Sequence, residues 1–291
     1  MTSEPAFRRR REIGAASARS LLLTVLGEFV LPAGRPVWTS AFLDALALLE
    51  VEEKAVRQAL ARSATEGWLE TERHGRRTAW RLTPSGRRLL TDGTERIFGF
   101  GTPMTSWDGR WLIVLASVPE SNRRQRHLLR TRLAWSGLGN LSPGVWVTPH
   151  PERESEVREV LAEAGVGATA TVFTGRLGDL DEARRVAGQA WDLSEIELAY
   201  EDFLDEVRTL RPSGPDATFA AQVRLVQEWR RFPFLDPGLP PELLPDGWSG
   251  ARAVTTFRTH HTGWKDAADR HWARLGTAPG DTAPGEAAPG E

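Results

Sequence analysis

The chain has 291 residues, with 37 Lys and Arg, 39 Asp and Glu, 12 Trp and no Cys. That length supplies two or three domains with buried cores, and the lack of Cys excludes a disulfide scaffold, a Cys-ligated zinc site and a thiol nucleophile. The formal net charge of −2 hides a split: residues 1–150 carry 22 basic and 14 acidic side chains, whereas residues 151–291 carry 15 and 25. A basic half joined to an acidic half is a pattern to test for DNA contact at one end.

Arg8, Arg9, Arg10 and Arg11 lie in an opening segment expected to be mobile and within reach of phosphates. Residues 14–19 part them from the apolar stretch 21–31, which is short and carries Glu28. Neither a signal peptide nor a membrane span of about 20 apolar residues is read there, so the expectation is a cytoplasmic protein with no membrane partner. Leu22, Val25, Leu26 and Phe29 then recur at helical spacing over 18–30. Thr39 and Ser40 offer an N-cap ahead of Phe42, Leu43, Leu46 and Leu49. A third helix is read over 52–66, with Val56, Leu60 and Ala64 as its inward stripe and Gly67 as its stop. Residues 68–72 and 79–82 flank His74-Gly75-Arg76-Arg77, the pattern of a two-stranded ribbon, and Thr83-Pro84 opens a short helix.

Helices followed by a ribbon make residues 15–97 a winged helix-turn-helix. Opposite its apolar stripe the third helix presents Lys54, Arg57, Gln58, Ala61 and Arg62, and the ribbon tip carries Arg73, His74, Arg76 and Arg77. Arginine and glutamine match base edges in a major groove, and arginines on a wing clamp phosphates or enter a minor groove. The partner expected is a double-stranded DNA operator. For an isolated charge run a solvated face is the usual explanation; two elements that this fold points the same way weigh against it here.

Residues 107–176 read as strand (110–118), helix (122–135), two short strands (139–141 and 145–148), acidic helix (152–164) and strand (168–174), a ferredoxin-like βαββαβ order. Residues 190–276 read as helical, over 193–210, 219–231 and 248–275, with a Pro-rich connection at 233–245. Residues 277–291 repeat a Pro-Gly-acid unit, contain no large apolar residue and are expected to be a disordered acidic tail. The fold class is therefore α+β, with an N-terminal winged helix-turn-helix, a ferredoxin-like middle domain and a helical C-terminal domain.

Several segments together resemble the PaaX family of phenylacetic acid degradation repressors. SARSLLLTVLGEFV and VRQALARSATEGWLETERHGRRTAWRLTPSGRRLL resemble its N-terminal domain. WDGRWLIVLASVPESNRRQRHLLRTRLAWSGLGNLSPGVWVTPHP resembles its middle domain and LVQEWRRFPFLDPGLPPELLPDGWSGARA its C-terminal domain. The resemblance covers about residues 15–275 and implies a GntR-like winged-helix regulator with a middle domain similar to the small ferredoxin-like nuclease of CRISPR systems. It further implies a homodimeric repressor of an aromatic-acid operon, released by an aryl-CoA thioester such as phenylacetyl-CoA. Trp80 stands where a wing tyrosine is common, and Leu138 where an aromatic between two glycines is common.

A thioester effector needs cations for its phosphates and an apolar slot for its acyl group. Arg123, Arg126 and Arg130 of the arginine-rich helix, with Trp229 and Arg230, are the candidate ligand residues; a solvated helix face or a dimer contact is the plainer reading of the arginines, and core packing that of the aromatic group. No catalytic residue, metal site or cofactor is read. Asp108 precedes the first middle-domain strand, but its end, Ser117-Val118-Pro119, lacks the paired acid that a Mg²⁺-dependent nuclease requires. His260 and His261 are adjacent and, with Asp266, Asp269 and His271, miss the i, i+4 zinc pattern. Winged-helix regulators with another effector or none, a protein-binding winged helix and a nuclease are the alternatives.

Overall fold

A computed structural model describes residues 17–101 and 106–276. Arg8 to Arg11 and the 277–291 tail lie outside the described residues. The class is α+β, helices combined with two antiparallel sheets. The described residues divide into two compact units: one holds residues 17–99, 207–230 and 256–276, the other 100–101, 106–206 and 231–255. The segment 190–276, read above as one helical domain, is thus shared between the two.

In the first unit, helix α1 (Ala18–Val25) is capped by Ser17, whose Oγ accepts from the Ser20 N–H at 3.2 Å. It runs into a π-helical turn, Leu26–Val30, closed by the Leu31 N–H on the Leu26 carbonyl. This widened turn holds Glu28, which is buried. A two-residue strand β1 (Val37–Trp38) precedes α2 (Thr39–Ala47), α3 (Glu53–Thr65), strands β2 (Leu69–His74) and β3 (Arg77–Leu82), and α4 (Pro84–Gly99). The sheet order is β1-β3-β2. Thr39 is not the expected N-cap: Trp38 holds that position without a side-chain bond. The Thr39 hydroxyl instead donates to the Thr78 carbonyl at 3.0 Å and accepts from Trp80 Nε1 at 2.9 Å, tying α2 to the ribbon. The core joins Leu22, Leu26, Phe29, Phe42, Leu46, Val56 and Leu60. It is completed by Phe219 and Val223 of α9 (Pro215–Trp229) and by Ala268 and Trp272 of α11 (Gly250–Leu275), which is why these late segments belong to this unit.

Glu28 meets three other polar side chains there. Its Oε1 accepts from Gln222 Nε2 at 2.9 Å, faces His261 Nε2 at 2.9 Å and lies 3.8 Å from Lys265 Nζ.

In the second unit, β4 (Arg110–Leu115), α5 (Arg123–Trp135), β5 (Gly139–Ser142), β6 (Val145–Thr148), α6 (Glu154–Glu163) and β7 (Thr171–Arg176) follow in order. They form an antiparallel sheet of order β5-β6-β4-β7. Leu112 and Val114 pack with Leu129, Leu133, Val157 and Leu161 into one core. Trp111 and Val147 pack with Ala183, Val186 and Ala187 of α7 (Leu180–Ala190), a helix absent from the sequence reading. Helix α8 (Leu193–Thr209) contributes Tyr200, whose hydroxyl donates to Asp236 Oδ2 at 2.6 Å just beyond α10 (Phe232–Leu235).

Candidate nucleic-acid interface

The side chains of α3 sort by periodicity. Val56, Ala59, Leu60 and Ser63 are buried, so Lys54, Arg57, Gln58, Ala61 and Arg62 fall on the opposite face and are exposed. Ala64, expected in the stripe, is half-buried. Glu53, Lys54, Arg57, Gln58 and Ala61 line an open depression of about 510 Å³. Arg57 is not a bare cation: its Nε donates to Glu53 Oε1 at 2.7 Å. Among the described residues no ion pair engages Lys54 or Arg62.

Helix α3 stops where the ribbon must begin. Gly67 has φ 76°, the Gly67 N–H bonds the Ala64 carbonyl and the Trp68 N–H bonds the Ser63 carbonyl, both at 2.9 Å. These are the paired bonds of a Schellman motif, which turns the chain sharply out of the helix. The ribbon closes at Gly75-Arg76, with His74 opposite Arg77 and φ 60° at Gly75, so glycine supplies the left-handed first position of the two-residue turn. The tip is exposed, and among the described residues Arg73 and Arg76 make no ion pair. His74 differs: its ring meets Trp38 edge-on at 5.3 Å and its Nε2 lies 3.7 Å from Glu72 Oε2. Arg81, which the sequence reading passed over, holds Glu70 at 3.0 Å and Glu72 at 3.2 Å and so offsets the acidic residues of β2.

The candidate ligand residues fall in different units. Arg123, Arg126 and Arg130 are exposed on α5 in the second, where Arg126 Nη2 donates to the Glu120 carbonyl at 3.1 Å. Trp229 belongs to the first unit and is buried; it stacks on Phe257 at 4.5 Å and its Nε1 donates to the Ile97 carbonyl at 3.2 Å. Arg230 Nη1 donates to the Ser20 carbonyl and to Thr24 Oγ1, each at 3.1 Å, anchoring α9 to α1. A concavity of about 660 Å³ in the second unit, lined by Arg184, Trp191, Asp192, Ser194 and Leu243 among others, was missed because α7 was missed. Among the described residues no group of three or more His, Asp or Glu is placed to hold a metal. No described helix is long and apolar enough to cross a membrane.

Sequence reasoning also missed Glu53, although the i, i+4 spacing from Glu53 to Arg57 is a visible signal.

Three family models match the chain: "PaaX-like protein" over residues 17–86, "PaaX protein central Cas2-like domain" over 104–187 and "PaaX-like protein C-terminal domain" over 191–274. The transcriptional repressor PaaX of Escherichia coli (strain K12) is 31% identical over 248 residues, 81% of this chain and 77% of that protein. An uncharacterized protein from Mycobacterium tuberculosis has a similar solved structure, with a TM-score of 0.61 and 26% identity over 88% of this chain and 98% of that one.

Proposed function

Because the chain belongs to the PaaX family, we propose that it is a transcriptional repressor that binds operator DNA through its first unit. One observation carries the reading: Lys54, Arg57, Gln58 and Arg62 share the exposed face of α3, while Arg73 and Arg76 stand on the exposed end of the β2–β3 ribbon. In this reading α1, α2 and α3 with the ribbon form a winged helix-turn-helix. Helix α3 enters the major groove and the wing holds phosphates or a neighbouring minor groove. The order β7-β4-β6-β5 with α5 and α6 supports a ferredoxin-like middle domain. The protein acts as a homodimer on an inverted repeat, its half-sites about one duplex turn apart. An aryl-CoA thioester such as phenylacetyl-CoA releases it by binding better to the conformation that cannot span both half-sites.

A gel shift on the chain's own upstream region, with and without a panel of CoA thioesters, tests this reading. Arg57→Ala is expected to cost about 1–3 kcal/mol of operator binding, and Arg76→Ala to weaken binding to all duplexes and lower the salt slope by about 1. Unchanged affinity in both variants would show that α3 and the wing are not the DNA-contacting elements. Indifference to every thioester would remove the effector assignment alone.

A further inference from the structure

We propose that Glu53 is a positioning residue that turns Arg57 into a reader of guanine instead of a phosphate clamp. The inference rests on the reading of α3 as the recognition element. Arg57 Nε donates to Glu53 Oε1 at 2.7 Å, and both side chains stay exposed, at 56% and 64%. A guanidinium has five N–H donors. Engaging Nε fixes the plane of the group and leaves its two terminal nitrogens as an outward fork. That fork matches guanine O6 and N7 in the major groove, the commonest bidentate base contact of arginine.

Position and charge point the same way. Glu53 and Arg57 occupy the first turns of α3, the part of a recognition helix that meets base edges. A carboxylate against Arg57 also opposes the approach of phosphates, which a bare guanidinium would favour. Lys54 and Arg62 on the same face have no such carboxylate among the described residues and remain the phosphate-directed cations. As an exposed i, i+4 pair, Glu53–Arg57 adds little to stability. Its larger effect falls on how Arg57 is presented.

The test selects preferred duplexes from a random pool with the full-length wild-type chain. Affinities of wild type, Glu53→Ala, Glu53→Gln and Arg57→Ala are then measured on the selected site and on copies carrying adenine or 7-deazaguanine at each guanine. Wild type should discriminate against replacement of one guanine by about 10- to 100-fold. Arg57→Ala should lose that discrimination entirely. Glu53→Ala should lose most of it, with a salt slope steeper by about 1 as Arg57 turns to a phosphate. Glu53→Gln should keep it, because the amide oxygen still accepts from Arg57 Nε. Full discrimination in Glu53→Ala, or equal loss in Glu53→Gln and Glu53→Ala, would overturn the positioning role and leave α3 as a DNA-binding element. A wild-type chain that selects no sequence would overturn both.

Discussion

Alanine at position 86 should destabilise the first unit, although alanine is the better helix former. Gly86 is the third residue of α4, and its N–H donates to the Thr83 hydroxyl at 3.0 Å. A Cβ built there would lie 2.1 Å from the Trp68 carbonyl oxygen, 2.9 Å from its carbon and 3.0 Å from the Trp68 Cα. These are backbone atoms at the entry to the ribbon, so no rotamer change relieves the overlap. An ordinary C–H···O contact is no closer than about 3.3 Å, so α4 and Trp68 must part by about 1.2 Å. The Trp68 carbonyl already accepts from the Thr83 N–H at 3.1 Å and the Thr83 hydroxyl at 3.3 Å, and that movement strains both bonds. Overpacking of this kind costs about 1–3 kcal/mol and a weakened hydrogen bond about 0.5–1.5. The helix preference of alanine returns at most about 1 kcal/mol. The net expectation is a loss of about 1–3 kcal/mol, read from urea unfolding midpoints at constant m. Gly93, in the same helix, has nothing within 4 Å of its Cβ position, so Gly93→Ala should gain about 0.5–1 kcal/mol. If Gly86→Ala proves as stable as Gly93→Ala, the close approach of α4 to Trp68 is wrong.

Glu50 is the described non-glycine residue with positive φ, at 63°, where the Glu50 N–H bonds the Ala47 carbonyl and the Val51 N–H bonds the Leu46 carbonyl. Glu50→Gly should stabilise the turn between α2 and α3 by about 0.5–1 kcal/mol in the same urea assay, and destabilisation would refute a left-handed Glu50. Glu28→Ala leaves the fully buried Gln222 amide without its acceptor and should cost about 1–3 kcal/mol; a neutral result would place the Gln222 amide elsewhere. His150, His260 and His271 are all held below the ordinary histidine value of 6.5, each chiefly by burial, with Arg153 adding to the effect at His150, Arg211 at His260 and Arg274 at His271. At His150 burial outweighs two acceptors, the Gly238 carbonyl at 2.8 Å and Glu152 Oε1 at 3.0 Å, that face its ring nitrogens. Each histidine binds its proton more weakly folded than unfolded, so its contribution is complete above pH 6.5 and is lost as pH falls toward the folded value. Urea midpoints should therefore drop between about pH 7.5 and about pH 5.5, and constant midpoints would contradict that sign.

Helices whose buried face carries large aliphatic side chains were legible from spacing. In α3 a stripe of Val56 and Leu60 stands against Arg57 and Arg62, and helical periodicity alone separates them. Helix α7 was missed although its faces differ: Ala183, Val186 and Ala187 are buried at helical spacing while Arg184 and Arg185 are exposed, but the buried residues are small and Gly188 lies inside the helix. Its cap was a second signal, Asp179 accepting from the Glu182 N–H at 2.9 Å. Strand β1 has only Val37 and Trp38 and owes its existence to β3, a partner remote in sequence. Local pattern likewise says nothing about what a polar side chain will find. Thr39 reads as a cap and serves as a bridge to the ribbon, and Arg230 reads as a ligand cation and holds α1. Within the site, the cations were evident from their placement opposite a stripe, whereas the interaction of His74 with Trp38 depends on β1 and was not.

The make-up of the first unit's core has a consequence for biosynthesis. Phe29 packs against Phe219 at 5.0 Å and Trp272 at 5.7 Å, and Trp272 also meets Phe42 at 5.7 Å. The N-terminal helices emerge from the ribosome long before these partners exist. Until Trp272 is translated, the apolar surface of Phe29 and Phe42 must wait unsealed, exposed to chaperones and to other nascent chains. Such distant closure also raises contact order and slows the final step. Duplex affinity should accordingly arise late in synthesis, and a fragment ending at the close of α4 should behave as an incompletely folded chain rather than as an autonomous reader of DNA.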